Sequence, residues 1–117
     1  MRYRVINLTR NTLLASEAVA AITFFARFKG LMGTPALPAG HGLFLKPCSS
    51  VHTFFMRIPI DVIFLSADLR VVDMALELAP WRVSRVYFEA QSVLELPSGS
   101  VRQTQTAHGD QLEMMHW

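Results

Sequence analysis

Cysteine is almost absent from this 117-residue chain. Cys48 stands alone, so no internal disulfide can form and nothing in the sequence demands an oxidising compartment. Lysine is nearly as scarce: Lys29 and Lys46 are the only ones, and every other basic side chain is an arginine. The planar arginine fork suits pairing with a carboxylate or phosphate better than it suits a diffuse cationic surface. Charge of any kind is thin, at 17% of residues with a net charge of +2, an imbalance too small to imply nucleic acid by itself. Long hydrophobic runs are missing too. The apolar stretch over residues 18–26 is interrupted by Thr23 and bounded by Glu17 and Arg27, well short of the roughly 20 residues that span a bilayer. Asn7, Thr9, Arg10, Asn11 and Thr12 fall where a signal peptide would need its apolar core. The expected location is cytoplasmic. No Walker loop, dinucleotide fingerprint, zinc-type Cys/His pairing or catalytic carboxylate pair is present, which argues against nucleotide hydrolysis, NAD chemistry and structural zinc.

What the chain does have is apolar residues, 51% of the total. Its length suits one domain, residues 1–117, with a single core and no need of staples. Alternating and apolar runs predict strands over residues 3–8, 13–15, 42–46, 51–57, 61–66, 69–77, 92–96 and 111–115. Ala67-Asp68 predicts a tight hairpin between the fifth and sixth of these. Thr23 reads as a helix N-cap, Phe24, Phe28 and Leu31 follow at helical spacing, and Gly33 would end the helix, so the main helix is expected over residues 21–32. Residues 33–41 form a Pro/Gly loop, residues 80–88 fit no single element, and residues 100–106 suit a helical turn. Many short strands and one main helix predict an α+β, β-rich fold, a small barrel-like or closed mixed sheet with the helix packed against it.

The segment His52–Phe64, HTFFMRIPIDVIF, concentrates the chemistry. Arg57 and Asp61 flank Pro59 between apolar runs, and an unpaired charge there would be costly, so they are expected to pair with each other or share one partner. Phe54 or Phe55, with Ile60 or Val62 and Ile63 or Phe64, are expected in the core. If residues 48–56 were one strand, Cys48, Ser50, His52, Phe54 and Met56 would share a face. With His41 upstream, the order His, Cys, His, Met echoes a blue-copper ligand set, but Phe54 and Met56 read as core, and no metal or other cofactor is expected. Cys48 with His52 could be a nucleophile and its base, with Asp61 orienting them, yet no nucleophile elbow or glycine-rich oxyanion turn adjoins Cys48. A lone cysteine is more simply a small buried hydrophobe.

Several spaced motifs occur together: Arg27 with Gly30-Leu31-Met32, the loop over residues 37–42, the run Phe55-Met56-Arg57 into Ile58-Pro59-Ile60-Asp61-Val62-Ile63-Phe64, Val93-Leu94-Glu95-Leu96-Pro97 with Gly99, and Gly109-Asp110. On these the chain, from about Ala21 to Leu112, resembles the bacterial and archaeal domain-of-unknown-function family 192. It departs from the family's common core, which has a tryptophan before the methionine and a longer approach to the proline, and Thr34 stands where an arginine often follows. The resemblance implies a β-rich fold and an envelope or housekeeping context, and it supplies no reaction.

The leading functional expectation is a small non-catalytic binding or accessory domain, not an enzyme. Its pocket would use Arg27, Cys48, His52, Arg57 and Asp61 for a small-molecule or protein ligand. The alternatives are an enzyme built on Cys48, His52 and Asp61, or an interaction module that docks a protein or nucleic acid through residues 81–88. Trp81, Arg82, Arg85, Tyr87 and Phe88 interleave aromatic and basic side chains there. Nucleic acid is the less favoured partner, and a monomer or small homo-oligomer is expected.

Overall fold

A computed structural model describes residues 2–116, with the side chains of Phe24 and Phe25 outside the description. The elements in chain order are β1 (Arg2–Asn7), β2 (Thr12–Ala21), α1 (Phe24–Lys29), β3 (His41–Leu45), β4 (Ile60–Leu65), β5 (Val71–Leu78), β6 (Ser92–Pro97), α2 (Ser100–Thr104) and β7 (Leu112–His116). The seven strands make one mixed sheet in the order β5-β4-β6-β3-β2-β1-β7. Only the β2–β3 pair is parallel. The sheet curls into a half-barrel, and its two edges meet at one end through the Arg70–Gln111 bridge. There the Leu112 amide donates to the Leu69 carbonyl (2.9 Å) and the Val71 amide to that of Asp110 (2.8 Å). The β-rich, mixed-sheet expectation holds.

The central strands are buried on both faces. Every residue of β4 is buried, and so are all but the last of β6, which is why their sequences read as nearly unbroken apolar runs. Alternation sorts them. Ile63, Leu65, Leu94 and Leu96 face the concave core with Val5, Phe44 and Leu112. Ile60, Val62, Phe64 and Val93 face a second cluster under the connections, with Leu45, Val51, Met56 and Ala90. Gly42 lets β3 lie close to β6, since a Cβ there would come within 2.9 Å of Leu96 Cδ2 and 3.2 Å of the Glu95 carbonyl oxygen.

The single main helix over residues 21–32 is corrected to two short helices, α1 and α2. Thr23 is indeed the N-cap, accepting from the Ala26 amide at 3.1 Å, but the helix closes at Gly30. The expected stripe fails as well: Phe28 is 57% exposed, and the Phe24 side chain lies outside the described residues. The reason is upstream. Residues 16–21 continue β2, which bonds β1 on one side and β3 on the other. Those two ladders outweigh the few tenths of a kcal/mol per residue by which alanine favours helix.

The expected strand over residues 51–57 is a second correction. That segment carries only an isolated bridge, His52 to Val83, and Phe55 turns out of extended geometry at φ 62°. Its backbone is laced instead to residues 79–91: Thr53 N donates to Arg82 O (2.8 Å), Trp81 N to Thr53 O (2.9 Å) and Ser84 N to Val51 O (2.9 Å). Phe54 and Phe55 are consequently exposed, not core, whereas Ile60, Val62, Ile63 and Phe64 are fully buried.

Candidate functional site

Among the described residues one fully buried acid lies on the face of the second cluster. Glu95 sits on β6, paired with Val62 of β4 and Leu43 of β3. Its alternation partner Val93 faces the same way, while Leu94 and Leu96 face the concave core. Glu95 is 2% exposed, and its Oε1 has no hydrogen-bond partner. Desolvation alone pushes its carboxyl up to about 8, so the group is neutral at pH 7.

A small cavity of about 40 Å³ opens beside this carboxyl, walled by Arg27, Gly30, Cys48, His52, Met56 and Glu95 among others. Gly30 matters to its shape. Its φ of 47° with ψ of −125° is a conformation that favours glycine, and a Cβ there would lie 3.7 Å from Glu95 Oε1. Cys48 is half-buried and donates its thiol to the Ser50 carbonyl at 3.0 Å. Burial pushes the thiol's pKa up and Glu95, when ionised, pushes the same way; the Arg27 charge opposes them, and the net shift is upward. A thiol raised in this way is a poor nucleophile at neutral pH.

His52 is fully engaged. Its Nε2 lies 3.1 Å from the Phe28 carbonyl oxygen, and its Nδ1 accepts from the Phe54 amide at 3.2 Å. This pattern fits the tautomer protonated at Nε2 and leaves neither nitrogen for Cys48. The ring lies between Phe28 (centroids 5.4 Å apart) and Phe54 (5.3 Å).

Arg27, Cys48 and His52 therefore come together, with Ser50 and Met56 beside them, and Phe54 stands outside. Arg57 and Asp61 do not join. Asp61 shares the concave face with Ile63 and Leu65, and it is 1% exposed. It accepts from three amides: Glu77 at 2.9 Å, Gly99 at 3.1 Å and Val101 at 2.9 Å. Two of these belong to the start of α2, so Asp61 fastens that turn to β4. Arg57 is exposed. The expected Arg57–Asp61 ion pair is a correction: among the described residues no such pair forms, because backbone amides already satisfy the buried carboxylate. His41 is also apart, 3.6 Å from Glu17 at the far end of β3. Among the described residues no three His, Cys, Asp or Glu side chains are placed to hold a metal.

A larger cavity of about 340 Å³ lies elsewhere, between Leu13, Gly40, Pro97 and Gln103, and its walls carry no ionisable side chain. Size favours it; chemistry favours the Glu95 cavity. Glu95 was legible only as part of the family motif, yet a lone acid inside an otherwise apolar central strand is a physical signal in its own right.

The model of domain-of-unknown-function family 192, described as Uncharacterized ACR, matches residues 5–114. The chain belongs to this family. A relative in the family, the UPF0127 protein of Thermococcus sibiricus, is 34% identical over 114 residues, covering 93% of this chain and 73% of that one. Two bacterial crystal structures share the fold. One, a Novosphingobium aromaticivorans protein of unknown function, has a TM-score of 0.83 at 23% identity over 97% of this chain and 84% of that one. The other, from Sinorhizobium meliloti, is described as a candidate transcription regulator and has a TM-score of 0.82 at 22% identity, covering 97% and 92%. Among the described residues no helix is long and apolar enough to cross a membrane.

Proposed function

We propose that this family member is a non-catalytic binding or accessory domain whose site is the Glu95 cavity, with Arg27, Cys48 and His52 as its walls. One observation carries the reading: Glu95 Oε1 is buried without a partner beside an open cavity. A buried unpaired carboxyl is costly to the fold, and a ligand atom that satisfies it recovers that cost. A cavity of about 40 Å³ holds little more than a water-sized group. The site therefore takes the polar end of a ligand whose remainder lies outside, and neutral Glu95 donates its O–H to it. The thiol-enzyme alternative lacks a base, since His52 is spent on Phe28 and Phe54. The protein acts as one domain, residues 1–117, in the cytoplasm.

A thermal-shift screen against small polar metabolites tests this, because a ligand that binds only the folded state raises its apparent stability. The expected result is a compound that raises the Tm of the native protein but not that of Glu95→Leu, which has neither donor nor acceptor. A screen in which every shift persists unchanged in Glu95→Leu overturns the reading.

A further inference from the structure

The connections that cover the second cluster run from residues 22–40, 46–59 and 79–91. They hold six of the chain's 11 Lys and Arg residues but, in Glu89, only one of its nine acids. They also expose eight of the 13 large apolar side chains that the described residues leave open to solvent, Ile22, Phe28, Phe55, Trp81, Val83 and Phe88 among them. Phe88 is 92% exposed. Ring contacts tie part of this set into one patch: Phe28 to His52, His52 to Phe54, Phe54 to Trp81 at 6.1 Å, and Phe55 to Trp81 at 4.7 Å.

The backbone is bent to make the patch. Phe55 and Trp81 have φ of 62° and 65°, a region that bulky L-residues avoid. Each is held there by its neighbours, since the Phe55 carbonyl accepts from the Gly33 amide and the Trp81 amide donates to Thr53 (2.9 Å each). Strain held in place at exposed aromatic side chains points to a surface with a use.

We propose that this face docks on an anionic lipid membrane, with Trp81, Phe55 and Phe88 entering the interfacial layer and Arg82, Arg85 and Lys29 meeting the headgroups. Aromatic and aliphatic side chains interleaved with cations are the composition that interfacial binding requires. The other occupants fit less well. A single nucleic acid strand would stack on the aromatics but leave Ile22, Val83 and Val86 wet. A second copy of the chain on the same face would bring connections with six Lys and Arg and a single acid against their own like. The patch borders the Glu95 cavity through Phe28, Lys29 and His52, but none of the residues varied below lines that cavity, so either proposal can fail alone.

The test is vesicle co-sedimentation, with Trp81 emission as reporter in a Trp117→Phe chain. Binding to phosphatidylglycerol-rich vesicles with a blue shift, and much weaker binding to phosphatidylcholine alone, is the expected result. Trp81→Ser, Phe88→Ser and the pair Arg82→Gln with Arg85→Gln should each weaken binding about tenfold or more. Phe88 is nearly all in solvent, so its variant stays informative even if Trp81→Ser disturbs the fold. No association with anionic vesicles at low salt overturns the proposal, and so does association that all three variants leave intact. Tighter binding to a thymidine oligonucleotide than to vesicles, or a dimer in sedimentation that shields Trp81, also overturns it.

Discussion

Asp61 and Glu95 are both buried carboxylates on neighbouring strands of one sheet, one turned to each face. Asp61 collects three backbone amides and ties α2 to β4. Among the described residues Glu95 Oε1 has no partner, and desolvation pushes the carboxyl up to about 8. Burial alone does not tell a structural acid from a site acid. The donors around it do, and here they assign Asp61 to the fold and Glu95 to the cavity.

The sharpest way to break this contrast is to remove each acid. Asp61→Ala leaves three buried amides without an acceptor and should cost about 5 kcal/mol, given 1.5–3 kcal/mol for a hydrogen bond to a charged group. Urea unfolding measures it, and a loss below about 1 kcal/mol would mean the α2 turn is held by something else. Phe64→Ala compares the packing of the Glu95 face with that of the concave core. Phe64 is fully buried and meets Tyr87 at 4.3 Å, so about 3–5 kcal/mol should be lost.

Glu95→Gln should do the opposite of Asp61→Ala, and only above a certain pH. The folded carboxyl titrates near 8, above its ordinary value of 4.5, so the folded state keeps a proton that the unfolded chain has released. Stability should therefore be highest below about 4.5, fall as pH rises and level off above about 8. The amide removes that slope. The variant should match the native protein at low pH and exceed it above pH 8, by on the order of 5 kcal/mol at most. Parallel pH–stability curves for the two proteins would show that Glu95 is ionised within the fold.

The smallest effect concerns Cys48. Its raised thiol pKa predicts slower alkylation than a free thiol at neutral pH. Stopped-flow thiol labelling checks it. Labelling faster than a free thiol would return Cys48 to the list of nucleophiles.

The sequence reading located β3 to β7 and the α2 turn to within a few residues, because these elements carry period-2 alternation or apolar runs between Gly and Pro punctuation. It failed where a local preference met a tertiary partner. The short second strand expected over residues 13–15 runs on to Ala21, because two neighbours offer it ladders. Residues 51–57 look like a core strand, yet they bond to residues 79–91, an alignment that no local pattern encodes. The site divided in the same way. Arg27, Cys48 and His52 were singled out from the sequence and do meet. Asp61 was grouped with them by proximity along the chain, although alternation on β4 sends it to the other face.

Composition and periodicity by themselves determined that this chain builds a curled, β-rich sheet, because apolar residues at strand spacing must be covered on the faces where they recur. Only the tertiary structure decided which buried acid finds donors. An acid's partners are backbone amides and charges brought in from distant segments, and it is their arrival or absence in three dimensions that sets whether a buried acid is tied into the fold or left unpaired beside a cavity.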